Sequence, residues 1–165
     1  MRTAELTGSL TALYSELANG APDGGFAFML NSGDVGLHRS LGRLSAAQAS
    51  ASVHGGATIA AHARHLAYGL SLMNQWAQKG GNPFADAKWD EAWKTSVVDA
   101  AEWDGIRQDL VSQSDAWLTV LGVDREVPAN GLTGMISSIA HLAYHLGAIR
   151  QIDKGARGPT EGTFV

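Results

Sequence analysis

Cysteine is absent from this chain of 165 residues. A disulfide framework, a thiolate zinc site and a cysteine nucleophile are excluded with it. A large charge imbalance is missing too: sixteen acidic against twelve basic side chains leave a net charge of -4. No Lys/Arg block stands out, so the electrostatic footprint of a nucleic-acid binder is lacking. No uninterrupted apolar run approaches the roughly eighteen residues of a membrane-spanning helix. The N-terminal stretch MRTAELTGSLTALYSEL carries acids where a signal peptide has its apolar core. The expectation is a cytoplasmic protein with neither a nucleic-acid nor a membrane partner. Two catalytic motifs are also missing. The glycine-rich FAFMLNSGDVG lacks the GK[ST] ending of a phosphate loop, and no HExxH occurs, because Leu142 stands where a zincin has its glutamate.

What is present suits one globular domain spanning 1–165. Hydrophobic residues make up 45% and charged residues 17%, and this length supports a single sizeable core. Strand-like alternation is scarce and helical periodicity dominates. Leu6, Leu10, Leu13, Tyr14 and Leu17 predict an N-terminal helix stopped by Asn19-Gly20. A long connection over 20–36, folding its FAFML patch over a core edge, should follow, then a shorter helix at about 35–50. Thr58 is the expected N-cap of a helix reaching Lys79, ended by Gly80-Gly81. The segment 82–98 reads as a crossover with a short helical turn. A third long helix is expected at about 99–121 and a fourth from near Thr133 to Lys154. The tail 156–165 should be extended. Four long amphipathic helices with long crossover connections predict an all-α four-helix bundle, whose facing side chains can build an internal metal site.

Four of the six histidines lie in two of these helices. His141 and His145, in SSIAHLAYHLGAIRQ, are four apart, so they project about 40° from one another, one turn apart. Two imidazoles on an apolar face call for a common partner, since each buried without one costs about 1–3 kcal/mol. A metal ion is the simplest partner, and one imidazole from TIAAHARHLAYGLSLMNQW would give three ligands with room for water or substrate. His65, beside Leu66 and in register with Leu72 and Met73, is preferred. His62 differs from it by about 60° in the opposite sense and need not reach the same ion. His38 and His54 read as surface residues. Tyr144 reads as packing. Arg150 either binds an anion or, with Lys154, complements the helix C-terminus. Trp76, Trp103 and Trp117 sit at core or interface positions, whereas Trp89 and Trp93 are placed to line an entrance to the metal or to cover a dimer surface.

The HxxxH of SSIAHLAYHLGAIRQ, followed by Gly147 and the run Ile149–Gln151, resembles the last-helix signature of the DinB-like superfamily, the DinB/YfiT-like metalloenzymes. TIAAHARHL is similar to that family's second-helix pattern, in which Ser or Thr precedes the ligand histidine by seven residues, as Thr58 precedes His65. The resemblance implies a four-helix bundle in which His65, His141 and His145 bind a divalent ion, usually zinc or nickel, and it implies a homodimer.

Three neutral imidazoles leave the ion's positive charge uncompensated, which lowers the pKa of bound water towards about 7 and ionises a bound thiol. Hydrolysis and thiol transfer both follow. The family includes transferases that use low-molecular-weight thiols, where the nucleophilic sulfur arrives with a small-molecule cosubstrate and a cysteine-free chain loses nothing. Against this stand a helical bundle that binds metal for structure or sensing without catalysis, and a metal-free interaction module.

Overall fold

A computed structural model describes residues 2–159 of the chain. Among these every regular element is helical, as expected: α1 (Thr7–Asn19), α2 (Gly36–Gly42), α3 (Ala46–Ala49), α4 (Ile59–Lys79), α5 (Trp89–Ala92), α6 (Ala100–Leu121), α7 (Ala129–Ile152) and a 3₁₀ turn at Lys154–Ala156. β structure among the described residues is confined to an isolated antiparallel bridge between Arg2 and Glu126. No described helix is long and apolar enough to cross a membrane. The chain divides into two compact units, one of Met1–Arg43 with Leu121–Val165 and one of Leu44–Val120.

In the first unit α1 packs on α2 and on α7. Leu10, Tyr14 and Leu17 of α1 are buried, as are Met135, Ile139, Leu142, Leu146 and Ile149 of α7. Each of these residues lies three or four positions from the next, the spacing of a helical stripe. The connection 20–35 is a closed loop and not an apolar flap. Its base is pinched where Gly20 and Gly36, both with positive φ, meet. A Cβ on Gly20 would collide with the Asp34 carbonyl, and one on Gly36 with the Gly20 nitrogen. Only glycine fits both the backbone angle and the space. Phe26 is 76% exposed and Phe28 is exposed as well, so FAFML does not cover a core edge. What holds it is polar. The Glu16 carboxylate accepts from the backbone N–H groups of Phe28 (2.9 Å), Met29 (2.7 Å) and Leu30 (2.6 Å). Burial pushes this carboxyl's pKa up, but the three backbone bonds outweigh it and hold the group below its ordinary value.

The second unit holds α3, α4, α5 and most of α6. The expected helix at 35–50 is two short ones, because Ser45 starts a new helix with a capping box closed by Gln48. Thr58 caps α4 as expected, its hydroxyl accepting from the Ala61 N–H at 3.2 Å. α6 is tied to α4 through Asn74, whose amide donates to the Gln113 carbonyl (2.9 Å) and side chain (3.0 Å). Trp103 donates its indole N–H to the Leu44 carbonyl at 2.8 Å.

Two boundaries differ from expectation. α7 opens at Ala129 and not near Thr133, because Pro128 serves as its N-cap with φ -67°; Asn130-Gly131 is the first turn and no break. The expected extended tail begins instead with the 3₁₀ turn, where Asp153 accepts from the Gly155 N–H at 2.6 Å. Residues 160–165 of that expectation lie outside the described residues.

Candidate metal centre

In α7, spacing does what the helix geometry requires. His141 and His145 sit one turn apart and their rings meet edge to face, centroids 4.4 Å apart. Their Nε2 atoms come to 2.9 Å. Two imidazoles with facing nitrogens either share a proton, one donating and one accepting, or turn two lone pairs toward a common cation. His145 is 1% exposed and His141 is half-buried, and burial lowers the pKa of His141, which favours the neutral form that can act as a ligand. Leu142, at the place a zincin gives to glutamate, is buried among apolar residues. Tyr144 is not packed in the core as expected. It is 67% exposed, its ring edge to face with that of His145 at a centroid distance of 5.0 Å, because a step of about 100° from His145 carries it toward solvent.

Arg150 is neither an anion site nor a surface complement to the helix terminus. It is buried, and its Nη2 donates to Asp34 Oδ1 at 2.8 Å while its Nε donates to the Ala156 carbonyl at 3.2 Å. Asp34 also accepts from the Gly36 N–H at 2.8 Å. The guanidinium therefore fastens the closed loop and the 3₁₀ turn to the end of α7.

In α4, His62 and His65 are both buried, so His62 is not solvent-facing. Burial lowers the pKa of His62. Both rings lie against indoles. His65 stacks on Trp93, centroids 4.3 Å apart and planes 25° from parallel, with Trp89 tilted against it at 5.5 Å. His62 meets Trp93 edge to face at 5.3 Å. Trp89 at the start of α5 and Trp93 at its C-cap are four residues apart, which sets both on one side of this turn. Tyr68 anchors that helix: its hydroxyl accepts from the Lys88 N–H at 2.9 Å, and its ring edge meets Trp89 at 5.4 Å.

Among the described residues, His65, His141 and His145 form a group that could hold a metal ion. No family model matches this chain, and no curated protein and no solved structure matches it either. The reading of the site therefore rests on its residues. All three donors are imidazoles, a set suited to zinc, nickel, copper or iron and poorly suited to calcium or magnesium.

Of the remaining histidines, His54 is exposed in the left-handed region at φ 51°, as a surface residue should be, whereas His38 is half-buried on α2. Sequence reasoning missed Glu16 and Asp34 altogether. Each had a signal, since Glu16 is the one acid inside the apolar repeat of α1 and Asp34 follows a glycine ahead of a helix start.

Proposed function

We propose that this chain is a metal-dependent enzyme of the DinB-like type, folded as a four-helix bundle, in which His65, His141 and His145 hold one divalent cation, zinc or nickel. The observation that carries the reading is the 2.9 Å approach of the two Nε2 atoms on α7. Nitrogens facing each other on an apolar helix are satisfied by a shared proton or by a shared cation, and a third imidazole in the same group favours the cation. The lowered pKa of His141 adds to it, since a neutral imidazole is the form that ligates.

Three protein ligands leave a cation open to an exogenous ligand. When bound, such a cation supplies Lewis acidity and favours the thiolate over the thiol. The chain's own contribution is to fix the ligands and to keep proton traffic low. His141 and His145 are held by a helix whose neighbouring stripe of Ile139, Leu142, Leu146 and Ile149 is buried, and Trp93 fixes the His65 ring plane by stacking. With no cysteine in the chain, the sulfur of a transfer reaction comes from a cosubstrate. We therefore read the activity as transfer of a low-molecular-weight thiol to a small electrophile, in a homodimeric protein of the cytoplasm.

The test is turnover of electrophiles with a panel of cellular thiols, using untagged protein of known metal content, with and without chelator. Chelator-sensitive turnover with one thiol supports the enzyme. Stoichiometric metal with no turnover for any thiol leaves the non-catalytic metal-binding bundle as the better account. No metal and unchanged stability of His141→Ala and His145→Ala would return the histidines to an ordinary core role.

A further inference from the structure

Four of the five tryptophans fall into two populations. Trp103 and Trp117 are 2% and 0% exposed, whereas Trp89 and Trp93 remain 37% and 36% exposed. An aromatic side chain offers roughly 150–250 Å² for burial, so a tryptophan kept for packing alone ends as the first two do. Trp89 opens α5 and Trp93 is its C-cap, with Ala92 the buried position between them. They lie against α4 through rings: Trp93 on His65 at 25°, Trp89 on His65 at 48°, and Trp89 against Tyr68 at 76°. The planes are not parallel to one another, which makes an angled aromatic wall on one side of His65. The charged residues of this segment neutralise each other locally. Lys88 pairs with Glu91 at 3.8 Å and Lys94 with Asp90 at 3.5 Å. Nothing in that arrangement selects a charged ligand, and an angled set of indole and phenol rings favours a flat π-system through stacked and edge contacts.

We propose that Trp89, Trp93 and Tyr68 form an aromatic subsite beside His65 that takes a flat, uncharged aromatic group of the substrate. Its assignment to a substrate rests on the metal-centre reading. The aromatic recognition itself does not, and can be measured alone.

The probe is 4-nitrobenzyl alcohol, neutral and flat, with a nitro group that quenches indole emission. Cyclohexylmethanol and tetramethylammonium serve as non-aromatic and cationic comparisons. Saturable quenching of tryptophan emission by the aromatic alcohol is expected, about tenfold weaker in Trp89→Leu and Trp93→Leu and unchanged in Trp76→Phe. Saturation-transfer NMR on the unmodified chain gives a readout that does not depend on a variant folding, and should favour the aromatic alcohol over both comparisons by about tenfold. Equal binding of cyclohexylmethanol, preferential binding of tetramethylammonium, or retention of full affinity in both variants overturns the subsite. Metal content measured on the same samples separates the two ideas. A metal-loaded chain that ignores the aromatic alcohol refutes the subsite alone, whereas a metal-free chain that binds it refutes the metal centre alone.

Discussion

The chain carries two histidine pairs on two long apolar helices, and the pairs behave differently. On α7, a spacing of four lets His141 and His145 aim their nitrogens at each other. On α4, a spacing of three sets His62 and His65 about 60° apart in the opposite sense, and both rings meet the indole of Trp93. The charges around the helices differ as well. Glu16 and Arg150, the charged side chains of α1 and α7 apart from histidine, are both buried and both hold loops. The charges of α4, Arg64 and Lys79, face solvent. One helix is an element fastened at its end and bearing two facing imidazoles, and the other is a platform for aromatic side chains.

The largest effect expected from breaking this contrast is on folding. Arg150→Ala leaves Asp34 buried and uncompensated, and should cost about 3–5 kcal/mol in a denaturant titration. A loss under 1 kcal/mol would mean that the ion pair is not the fastening described. For the chelating pair, structural zinc sites bind with about 10–16 kcal/mol over four ligands, so removing one ligand should weaken metal binding by about 10²- to 10³-fold. His141→Ala and His145→Ala should both do this in a competition titration, and a variant that keeps its affinity would sever the two nitrogens from the cation.

Glu16→Gln keeps the shape of the loop anchor and removes its charge. Charge-assisted bonds to backbone donors contribute more than neutral ones, so the expected cost is about 2 kcal/mol. The pH dependence gives the same test without mutation. The carboxyl is held below its unfolded value of about 4.3, so its contribution is complete above that pH and is lost as the pH falls through the lower folded value. Unfolding titrations between pH 5 and about 2 should show this slope in the natural chain and a smaller one in Glu16→Gln. Equal slopes would assign the acid sensitivity elsewhere. The smallest effect belongs to His62→Ala, whose metal affinity should stay within about twofold of the unmodified chain while His65→Ala does not. Equal losses would make both α4 histidines ligands.

How much of this was legible follows from how local each signal is. Caps and stops at Thr58, Gly80 and Asn19-Gly20 are read within one turn, and α1 and α4 came out nearly to the residue. The S-x-x-Q of Ser45 and Gln48 is equally local but is buried in a helix-like run, so its restart was overlooked. Asn130-Gly131 suggested a break, yet glycine in a first turn costs little when Pro128 sets the entry angle. The facing geometry of His141 and His145 follows from spacing alone. The roles of Glu16, Asp34 and Arg150 do not, because their partners lie 12, 116 and 6 residues away with no periodicity to announce them. The indole stacking on His65 was half visible: Trp89 and Trp93 stood out as unexplained aromatics, but no pattern tells which ring an indole will cover.

The central claim is that three imidazoles share one cation. X-ray absorption at the metal edge, on untagged protein reconstituted with zinc, measures it most directly. One ion per chain is expected, with a first coordination sphere holding three imidazole nitrogens and one exchangeable light atom, reduced to two imidazoles in His65→Ala. Substoichiometric zinc, or a sphere whose imidazole count is the same with and without His65, would contradict it.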